Sequence, residues 1–234
     1  MEKCPGCLTD LNVVKNGLNK DQKQNYLCKS CKKQFIDRRA LVYRKFSGNT
    51  TLISKIIKML ERGCSVRDIE YIEQVPRSVI LRIIERFNLK INLKQQVYKS
   101  IQIDEMWSYV GRKRNKKWFI YALSPETGEI LACVVGKRDT KTVKKLYDKI
   151  ISLKVVIEEF CTDNWSAFSK VFSNCCHKIG KQFTRMIEGV NCLFRHRISR
   201  FVRKTCCFSK KLKNHINAIM IVIDSINKGN AWAK

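Results

Sequence analysis

Three carboxylates in an otherwise basic chain have the spacing of potential metal ligands. Asp104 follows an apolar alternation, Asp163 ends the strand-like run VVIEEFCTD, and Glu188 lies on a predicted long helix. Ligands of an α/β sheet gather where strands end, so the two aspartates are expected to lie close together. Clustered carboxylates favour Mg²⁺ or Mn²⁺. Two such ions can activate a water or a 3′-hydroxyl and stabilise the leaving oxygen of a phosphodiester.

The position of Glu188 on its helix suits such a site. Glu188 is one residue, about 100° of rotation, from Ile187 in the apolar stripe, so it lies at the margin of the buried face. Asn191 and Arg195 share its side of the helix and are candidate DNA contacts. Taken singly, each acid has a simpler explanation, since Asp163 can also cap a helix. The candidate catalytic and magnesium-binding residues are therefore Asp104, Asp163 and Glu188.

Four cysteines near the amino terminus form a second candidate metal site. Cys4 and Cys7 form one Cys-x-x-Cys pair, Cys28 and Cys31 form another, and 20 residues separate the pairs. Two such pairs complete a tetrahedral zinc site, although redox-active or unrelated cysteines remain an alternative. We predict a zinc ribbon over residues 1–40 in which Zn²⁺ supplies much of the folding free energy.

The overall charge indicates a polyanionic partner. The chain of 234 residues carries 47 Lys and Arg against 20 Asp and Glu, a formal net charge of +27. Such an excess favours nucleic acid, although a basic protein from an AT-rich genome is an alternative. No apolar run reaches the ~18 residues of a membrane helix, and no signal-peptide pattern is present. The sequence predicts a cytoplasmic, nucleoid-associated protein that does not contact membranes.

Helical periodicity after residue 50 predicts a helix-turn-helix DNA-binding domain over residues 45–90. Gly63 is placed to end the first helix, and Ser65 with Asp68 can cap the second. The third helix, Arg77 to Phe87, presents basic side chains outward, as a recognition helix does in a major groove. The alternative is an ordinary three-helix bundle with a solvated charged face. The candidate DNA contacts on the third helix are Arg77, Arg82 and Arg86.

The pattern over residues 99–234 predicts an α/β domain with a mixed sheet and helices packed on it. Strands are expected to end at Asp104 and Asp163, with two more over 117–123 and 129–136 and a short one over 176–180. Helices are expected over 140–153, 167–172 and 184–204, and near 216–226. Glu105 should point to the face of its strand opposite to Asp104 and be a structural or helper residue. Trp107 and Trp165 are expected to pack in the core.

Several ordered motifs resemble the transposases of the insertion sequence one family. The amino-terminal CPGC…YLCKSCKKQF ribbon and the helix-turn-helix are similar to that family's end-binding region. DEMWSYVG, KWFIYA, CTDNW and RMIE, followed by RKTCCFSK and a histidine, resemble its catalytic region. In this chain both regions stand in one polypeptide.

The resemblance implies a ribonuclease H-like fold with an Asp-Asp-Glu site formed by Asp104, Asp163 and Glu188. It implies that Arg195 contacts DNA near the active site, and it places His215 at a family position without a role. The implied activity is that of a DNA transposase, binding terminal inverted repeats and using Mg²⁺ or Mn²⁺ for cleavage and strand transfer. The implied partners are double-stranded transposon ends and target DNA, with a homodimer or larger assembly.

The residue after Glu188 departs from this family pattern. A basic residue usually stands there, and this chain has Gly189, which removes a probable DNA contact. The alternative function is therefore a repressor-like DNA-binding regulator, a degenerate transposase without catalysis. Three basic clusters lie around the proposed metal site and favour the catalytic interpretation: Arg112, Lys113, Arg114, Lys116 and Lys117; Arg195, Arg197, Arg200, Arg203 and Lys204; and Lys210, Lys211 and Lys213.

Overall fold

The chain folds as two compact units, 1–54 and 55–234. The computed structural model describes residues 4, 6–7, 9–19, 24–36, 50–88, 91–202 and 207–229. The predicted domain boundaries at 40 and 45 lie outside these ranges, as do Arg203 and Lys204. No helix within these ranges combines the length and apolar character that a membrane span requires.

The amino-terminal unit is a three-stranded antiparallel sheet. Its strands are β1 (Val13–Leu18), β2 (Gln24–Cys28) and β3 (Gln34–Ile36), paired in that order. Its described core holds only three buried side chains, and Tyr26 stacks on Phe35 with ring centroids 5.7 Å apart. Two of these three, Cys4 and Cys28, are cysteines. So small an apolar core stabilises little by itself.

Three helices follow at the predicted places: α1 (Thr50–Glu61), α2 (Val66–Glu73) and α3 (Arg77–Arg86). The capping box is confirmed, because the Ser65 N–H donates to Asp68 Oδ2 at 2.8 Å and the Asp68 N–H donates to Ser65 Oγ at 3.2 Å. The buried side chains of these helices are isoleucines, one each on α1 and α2 and three on α3: Ile56, Ile69, Ile80, Ile83 and Ile84.

A mixed five-stranded sheet with flanking helices forms the rest of the chain, which confirms the predicted ribonuclease H-like fold. The strand order is β6-β5-β4-β7-β8, with the first three strands antiparallel and the last two parallel to β4. The elements are β4 (Val97–Tyr109), β5 (Lys116–Leu123), β6 (Ile130–Gly136), α4 (Thr140–Ser152), β7 (Val156–Thr162), α5 (Ser166–Val171), β8 (His177–Ile179), α6 (Arg185–Arg197) and α7 (Leu212–Asn227).

Alternate residues of the sheet face two different helical layers. On β5, Phe119 and Tyr121 pack with buried residues of α6 and α7, whereas Ile120 and Ala122 pack with residues of α4 and α5. This is the period-two alternation of a strand covered on both faces. Asp104 is the register partner of Tyr121, so its side chain belongs to the α6 face.

Two predicted boundaries were wrong. β4 continues past Asp104 to Tyr109, because its second half pairs with β5 as far as the Tyr109–Lys116 pair. The predicted helix over 184–204 stops at Arg197. Ile198 leaves the helical conformation and is buried, and a short 3₁₀ turn then brings Phe201 into the same core. Burial of these two side chains ends α6 early.

The end of α3 and the turn between α1 and α2 lie against α7 and α6. The Asn217 side-chain amide on α7 donates to the carbonyl oxygens of Ile84 at 2.8 Å and Glu85 at 3.0 Å, which satisfies acceptors at the end of α3. At Gly63, where φ is +91°, an added Cβ would lie 2.9 Å from the His196 carbonyl oxygen. These contacts fix the orientation of α3 relative to the sheet.

His215 is a buried, neutral residue of the α6–α7 layer. It is 1% exposed, its ring lies edge-on to Phe201 with centroids 5.7 Å apart, and within the described part of the chain neither ring nitrogen has a hydrogen-bond partner. Burial, with a smaller contribution from the Arg200 charge, lowers the pKa of His215 to about 4. Packing is therefore the role that the structure gives to this residue.

Acid is expected to destabilise the fold through His215. Its pKa is lowered in the folded state, so the unfolded chain binds more protons below its ordinary pKa, and stability falls with falling pH. Between pH 7.5 and pH 5 the loss is about 2 kcal/mol. Urea unfolding at the two pH values should show this loss in the wild type and not in His215→Phe. The exposed His196 provides the control, because His196→Ala should retain the wild-type pH dependence; an equal loss in His215→Phe would contradict the assignment.

Candidate active site

Asp104 and Asp163 meet because β4 and β7 are neighbouring parallel strands. The last registered pair is Ile103 with Thr162, and each aspartate is the next residue of its chain segment. One carboxylate oxygen from each of Asp104, Glu105 and Asp163 lies within 4.8 Å of the others. The structure thus brings together the two predicted aspartates, with a third acid beside them.

Asp104 is held by two hydrogen bonds. Its Oδ1 accepts from the backbone N–H of Glu105 at 2.7 Å, and its Oδ2 accepts from the side-chain amide of Asn191 at 2.6 Å. Burial raises the pKa of Asp104, these two donors lower it, and the charges of Asp163 and Glu188 raise it again. The balance is a raised pKa, as expected for a carboxylate crowded by other acids.

Asp163 is oriented by the turn that follows β7. Its Oδ1 accepts from the backbone N–H of Trp165 at 3.1 Å, just before α5 begins. The hydroxyl of Thr162 donates to the Asp163 carbonyl oxygen at 2.8 Å and is 2.7 Å from His177 Nε2. Trp165 is the N-cap of α5 and no side chain caps that helix, so the helix-capping explanation of Asp163 is wrong, and the turn leaves the second Asp163 carboxylate oxygen available to a ligand.

Glu188 lies in the first turn of α6 and is exposed. It is outside the group of carboxylates within 4.8 Å, although its charge acts on Asp104. The start of α6 is tied to β4, because the backbone N–H of Ile187 donates to Gln102 Oε1 at 2.8 Å. Glu188 is thus close enough to Asp104 for its charge to raise the pKa of that aspartate, but it does not form a group within 4.8 Å with both aspartates. At Gly189, next to it, an added Cβ would meet no atom within 4 Å.

The carboxylate of Glu105 lies closer to the two aspartates than strand alternation predicts. Its backbone does alternate away from Asp104, but its side chain is long enough to bring the carboxylate back to the aspartates. Its Oε1 accepts from Arg138 Nε at 3.0 Å and from Nη2 at 2.7 Å. Strand alternation fixes where a Cβ points and not where a flexible side chain ends. The adjacency of the two acids was the signal available in the sequence.

Arg138 is clamped between two indole rings. Its Cζ lies 4.4 Å from the ring centroid of Trp165 and 5.1 Å from that of Trp118, which is cation–π geometry. Trp165 also packs edge-on to Phe168 at 5.0 Å. Beside this clamp an open cavity of about 560 Å³ is lined by Arg138, Asp163, Asn164, Trp165, Ser166, Gly180 and Lys181.

Both tryptophans that were expected in the core are only half-buried. Lys116 Nζ lies 4.8 Å from the ring centroid of Trp107, and the Trp107 and Trp118 rings are 6.4 Å apart. Of these rings, Trp165 lines the cavity beside Asp163, together with Arg138. Their packing partners are cations, as well as apolar residues of the core.

Asn191 occupies a different place from the predicted DNA contact. It is 6% exposed, and its amide oxygen accepts from the Tyr121 hydroxyl at 2.9 Å while its amide nitrogen donates to Asp104. Both ends of the side chain are therefore used inside the protein. Asn191 connects α6 to β4 and β5 and fixes the orientation of Asp104.

Removing this amide should weaken the site without unfolding it. Asn191→Ala leaves Asp104 Oδ2 without its protein donor, and losses of partners of this kind cost about 10–100-fold in metal affinity or activity. Half-saturation of the purified chain should therefore require a higher Mg²⁺ concentration in Asn191→Ala than in the wild type, as measured by a Mg²⁺ binding titration. Cys192→Ala, at the exposed neighbouring position of the same helix, is the control. An unchanged Mg²⁺ requirement in Asn191→Ala would refute the positioning role.

The predicted arginines are exposed on two elements. Arg195 lies on α6 beyond Glu188, and Arg77, Arg82 and Arg86 lie on α3. The Arg77 guanidinium forms an ion pair with Glu70 of α2. Arg82 and Arg86 lie on the face opposite the buried isoleucines of α3. The charged face of α3 is present as predicted, with Arg77 partly neutralised.

The four predicted cysteines form a cluster that can hold a zinc ion. Their sulfur atoms lie within 4.8 Å of one another, and the backbone N–H of Gly6 donates to Cys4 Sγ at 3.3 Å. Donation from the backbone N–H of Cys31 is the main cause that lowers the pKa of Cys28 to about 6. A thiol with a lowered pKa is readily the thiolate that metal binding requires. The geometry fits a zinc ribbon.

Comparison with known proteins identifies the family. A family model described as IS1 transposase matches residues 97–227. The insertion element iso-IS1n protein InsB of Shigella dysenteriae is 33% identical over 123 residues, which cover 53% of this chain and 92% of that protein. The InsB protein of insertion element IS1 of Shigella flexneri is 31% identical over 118 residues, 50% of this chain and 88% of its own length. The catalytic core domain of HTLV-2 integrase with magnesium aligns at a TM-score of 0.40 and 14% identity, over 53% of this chain and 82% of that one.

The family match and the paired aspartates of a ribonuclease H-like sheet define a DDE-type DNA transposase. The matched region spans more than half of the chain. The chain belongs to the IS1 transposase family. Because the family model begins at residue 97, the resemblance of the ribbon and the α1–α3 helices to an end-binding region stays a prediction.

Proposed function

We propose that this chain binds the terminal inverted repeats of its own insertion sequence and carries out metal-dependent cleavage and strand transfer of those ends. One observation carries the proposal. In a chain of a transposase family, Asp104 and Asp163 follow the last paired residues of neighbouring parallel strands, with carboxylate oxygens within 4.8 Å. Carboxylates at this separation can bind a common cation.

The proposed active site uses Asp104, Asp163 and Glu188 to hold Mg²⁺ or Mn²⁺. The donor set fits hard divalent cations, since it consists of carboxylate oxygens, and the neighbouring Glu105 has a buried Oε2 that lacks a hydrogen-bond partner among the described residues. These residues would hold a divalent cation, which would supply stabilisation of the charge on the attacking and leaving oxygens of a phosphodiester. Asn191 orients Asp104, the Trp165 N–H orients Asp163, and Glu188 approaches from the exposed turn of α6.

Two of the predicted basic clusters support a DNA path that starts at this site. Gly111 N–H donates to the Ser209 carbonyl oxygen at 2.8 Å, so the turn after β4 lies against the segment that precedes α7. The turn carries Arg112, Lys113 and Arg114, and the segment carries Lys210 and Lys211, all exposed. β4 continues for five residues after Asp104, as far as Tyr109, before this turn begins. At the rise of a strand these residues span roughly 17 Å. This distance suits DNA that runs from the scissile phosphate over a basic surface.

The amino-terminal elements are proposed to recognise the transposon end. The four cysteines would hold structural Zn²⁺ in residues 1–40, and α3 would enter the major groove with Arg82 and Arg86, Arg77 being shared with Glu70. Arg195 would contact the DNA backbone near the cut. Joining two ends to a target would require a homodimer or a larger assembly. This assembly would act on chromosomal DNA, in association with the nucleoid.

The test is strand transfer by the purified full chain with Mg²⁺, end-bearing DNA and a plasmid target. The proposal predicts products that require both the inverted repeat and the divalent cation, with none on DNA of scrambled end sequence. End binding without products, at any Mg²⁺ or Mn²⁺ concentration, would instead indicate a regulator. Cleavage that ignores the end sequence would indicate a structure-specific nuclease.

A further inference from the structure

The carboxylate of Glu105 has one oxygen committed and one oxygen without a partner. Oε1 accepts both bonds from Arg138, whereas Oε2 is buried and has no hydrogen-bond partner among the described residues. The side chain as a whole is only 6% exposed. Leaving a charged oxygen buried and unpaired is costly, and native structures rarely do so without a ligand.

Arg138 restricts the orientation of this carboxylate. Two N–H groups of one guanidinium bind the same oxygen, and the guanidinium is itself held between the rings of Trp118 and Trp165. An arginine stacked and bonded in this way loses most of its side-chain freedom. Glu105 is therefore presented to its neighbours in a fixed position, as residues that support a metal site are.

The charges around Glu105 are not balanced by the protein. Glu105 lies within 4.8 Å of both Asp104 and Asp163, and Arg138 is the cation that pairs with it. With all three acids ionised, this group has a net charge of −2, from three carboxylates and one guanidinium. A divalent cation is the simplest group that neutralises this excess and supplies the missing partner of Glu105 Oε2.

We propose that Glu105 is an additional ligand at the metal centre, and that Asp104, Glu105 and Asp163 bind one divalent cation before DNA arrives. This inference rests on the proposed function, which assigns the cation to the two aspartates, and adds a residue to it. Glu188 is exposed and outside the group within 4.8 Å, so it is not required for this first cation. It joins when substrate DNA is present.

The proposal is tested by measuring Mn²⁺ binding to the zinc-loaded full chain in the absence of DNA. The decrease of the EPR signal of free Mn²⁺ measures the amount that is bound. Glu105→Gln keeps an acceptor for Arg138 and removes the charge, and it should weaken Mn²⁺ binding about tenfold or more. Glu126→Gln makes the same change at an exposed position of the β5–β6 turn and should bind like the wild type. Glu188→Gln should also bind like the wild type, and Asp104→Asn should lose binding.

The outcomes separate this inference from the function it rests on. If Glu105→Gln binds Mn²⁺ as Glu126→Gln does while Asp104→Asn does not, Glu105 is not a ligand and the proposed function stands. If Glu188→Gln weakens binding as much as Glu105→Gln, the order of assembly is wrong. If the wild type binds no better than Asp104→Asn, no cation is held before DNA arrives and this inference fails, whereas the proposed function is still decided by the strand-transfer test. The rise in Tm that Mn²⁺ induces is a second measurement of binding. Glu105→Ala is a second variant, used if its near-UV circular dichroism spectrum matches that of the wild type.

Discussion

Asp104→Asn is expected to abolish cleavage and joining of transposon ends while leaving end binding intact. The substitution keeps the size of the side chain and one acceptor oxygen, which can retain one of the two hydrogen bonds that Asp104 accepts, from Asn191 at 2.6 Å and from the Glu105 backbone N–H at 2.7 Å. It removes the negative charge that a cation needs on β4. Loss of one preorganised electrostatic group costs on the order of a thousandfold in rate. Strand transfer measured in single-turnover reactions with Mg²⁺ gives the rate, and gel shifts with end DNA give the affinity.

Controls for this result are available in the same sheet. Glu126→Gln removes an exposed carboxylate from the β5–β6 turn and should leave both measurements unchanged. Asp163→Asn should behave as Asp104→Asn does, since the two oxygens share a site within 4.8 Å. Normal cleavage by Asp104→Asn would place the chemistry elsewhere. Loss of end binding in that variant would show that the aspartate supports the fold.

Removal of zinc is expected to unfold the amino-terminal unit and to spare the unit of residues 55–234. The described core of the small sheet consists of Cys4, Cys28 and Phe35, with Val13 and Tyr26 packed against them. Without a metal this core cannot offset the entropy of ordering the chain. Zinc binding supplies about 10–16 kcal/mol in sites of this kind. Hydrogen exchange of the β1–β3 amides, before and after chelation, measures the effect directly.

Cys28→Ser should reproduce the effect of chelation, because Cys28 is buried and is a member of the cluster. Cys176→Ser provides the matched control, since Cys176 is exposed and lies outside that cluster. Zinc content should fall in the first variant and stay at one ion per chain in the second. Protection of the β1–β3 amides that survives both chelation and Cys28→Ser would show that the ribbon folds without metal.

Local patterns in the sequence predicted what local physics controls. The capping box of Ser65 and Asp68, the buried isoleucines of α3 and each single Cys-x-x-Cys pair depend on neighbours a few residues apart. The pairing of Asp104 with Asp163 was predictable as well, because parallel strands carry their ends to the same edge of a sheet. Predicting these features required knowledge of the fold class but not of the detailed side-chain packing.

Side-chain contacts between distant elements were not predictable in the same way. Asn191 was assigned to DNA because it lies one helical turn from Glu188, and its burial depends on Tyr121, 70 residues away in the chain. The approach of Glu105 to the aspartates depends on Arg138, held between Trp118 and Trp165. The end of α6 depends on burial of Ile198 and Phe201. Each of these contacts depends on packing between distant elements of the sheet and its helices. The spacing of residues in a single sequence does not predict such packing.

The bond from Asn217 to the end of α3 has a geometric consequence for substrate choice. Under the proposed function, α3 reads base pairs of the repeat, and the α7 layer beneath it is continuous with the sheet that carries Asp104. The distance between the base pairs that α3 contacts and the phosphate that is cut is then fixed by the folded protein between α3 and Asp104. Each base pair inserted between them displaces the phosphate by about 3.4 Å. The enzyme would thus select its substrate by the spacing between the recognised sequence and the cleavage site, as well as by the sequence itself.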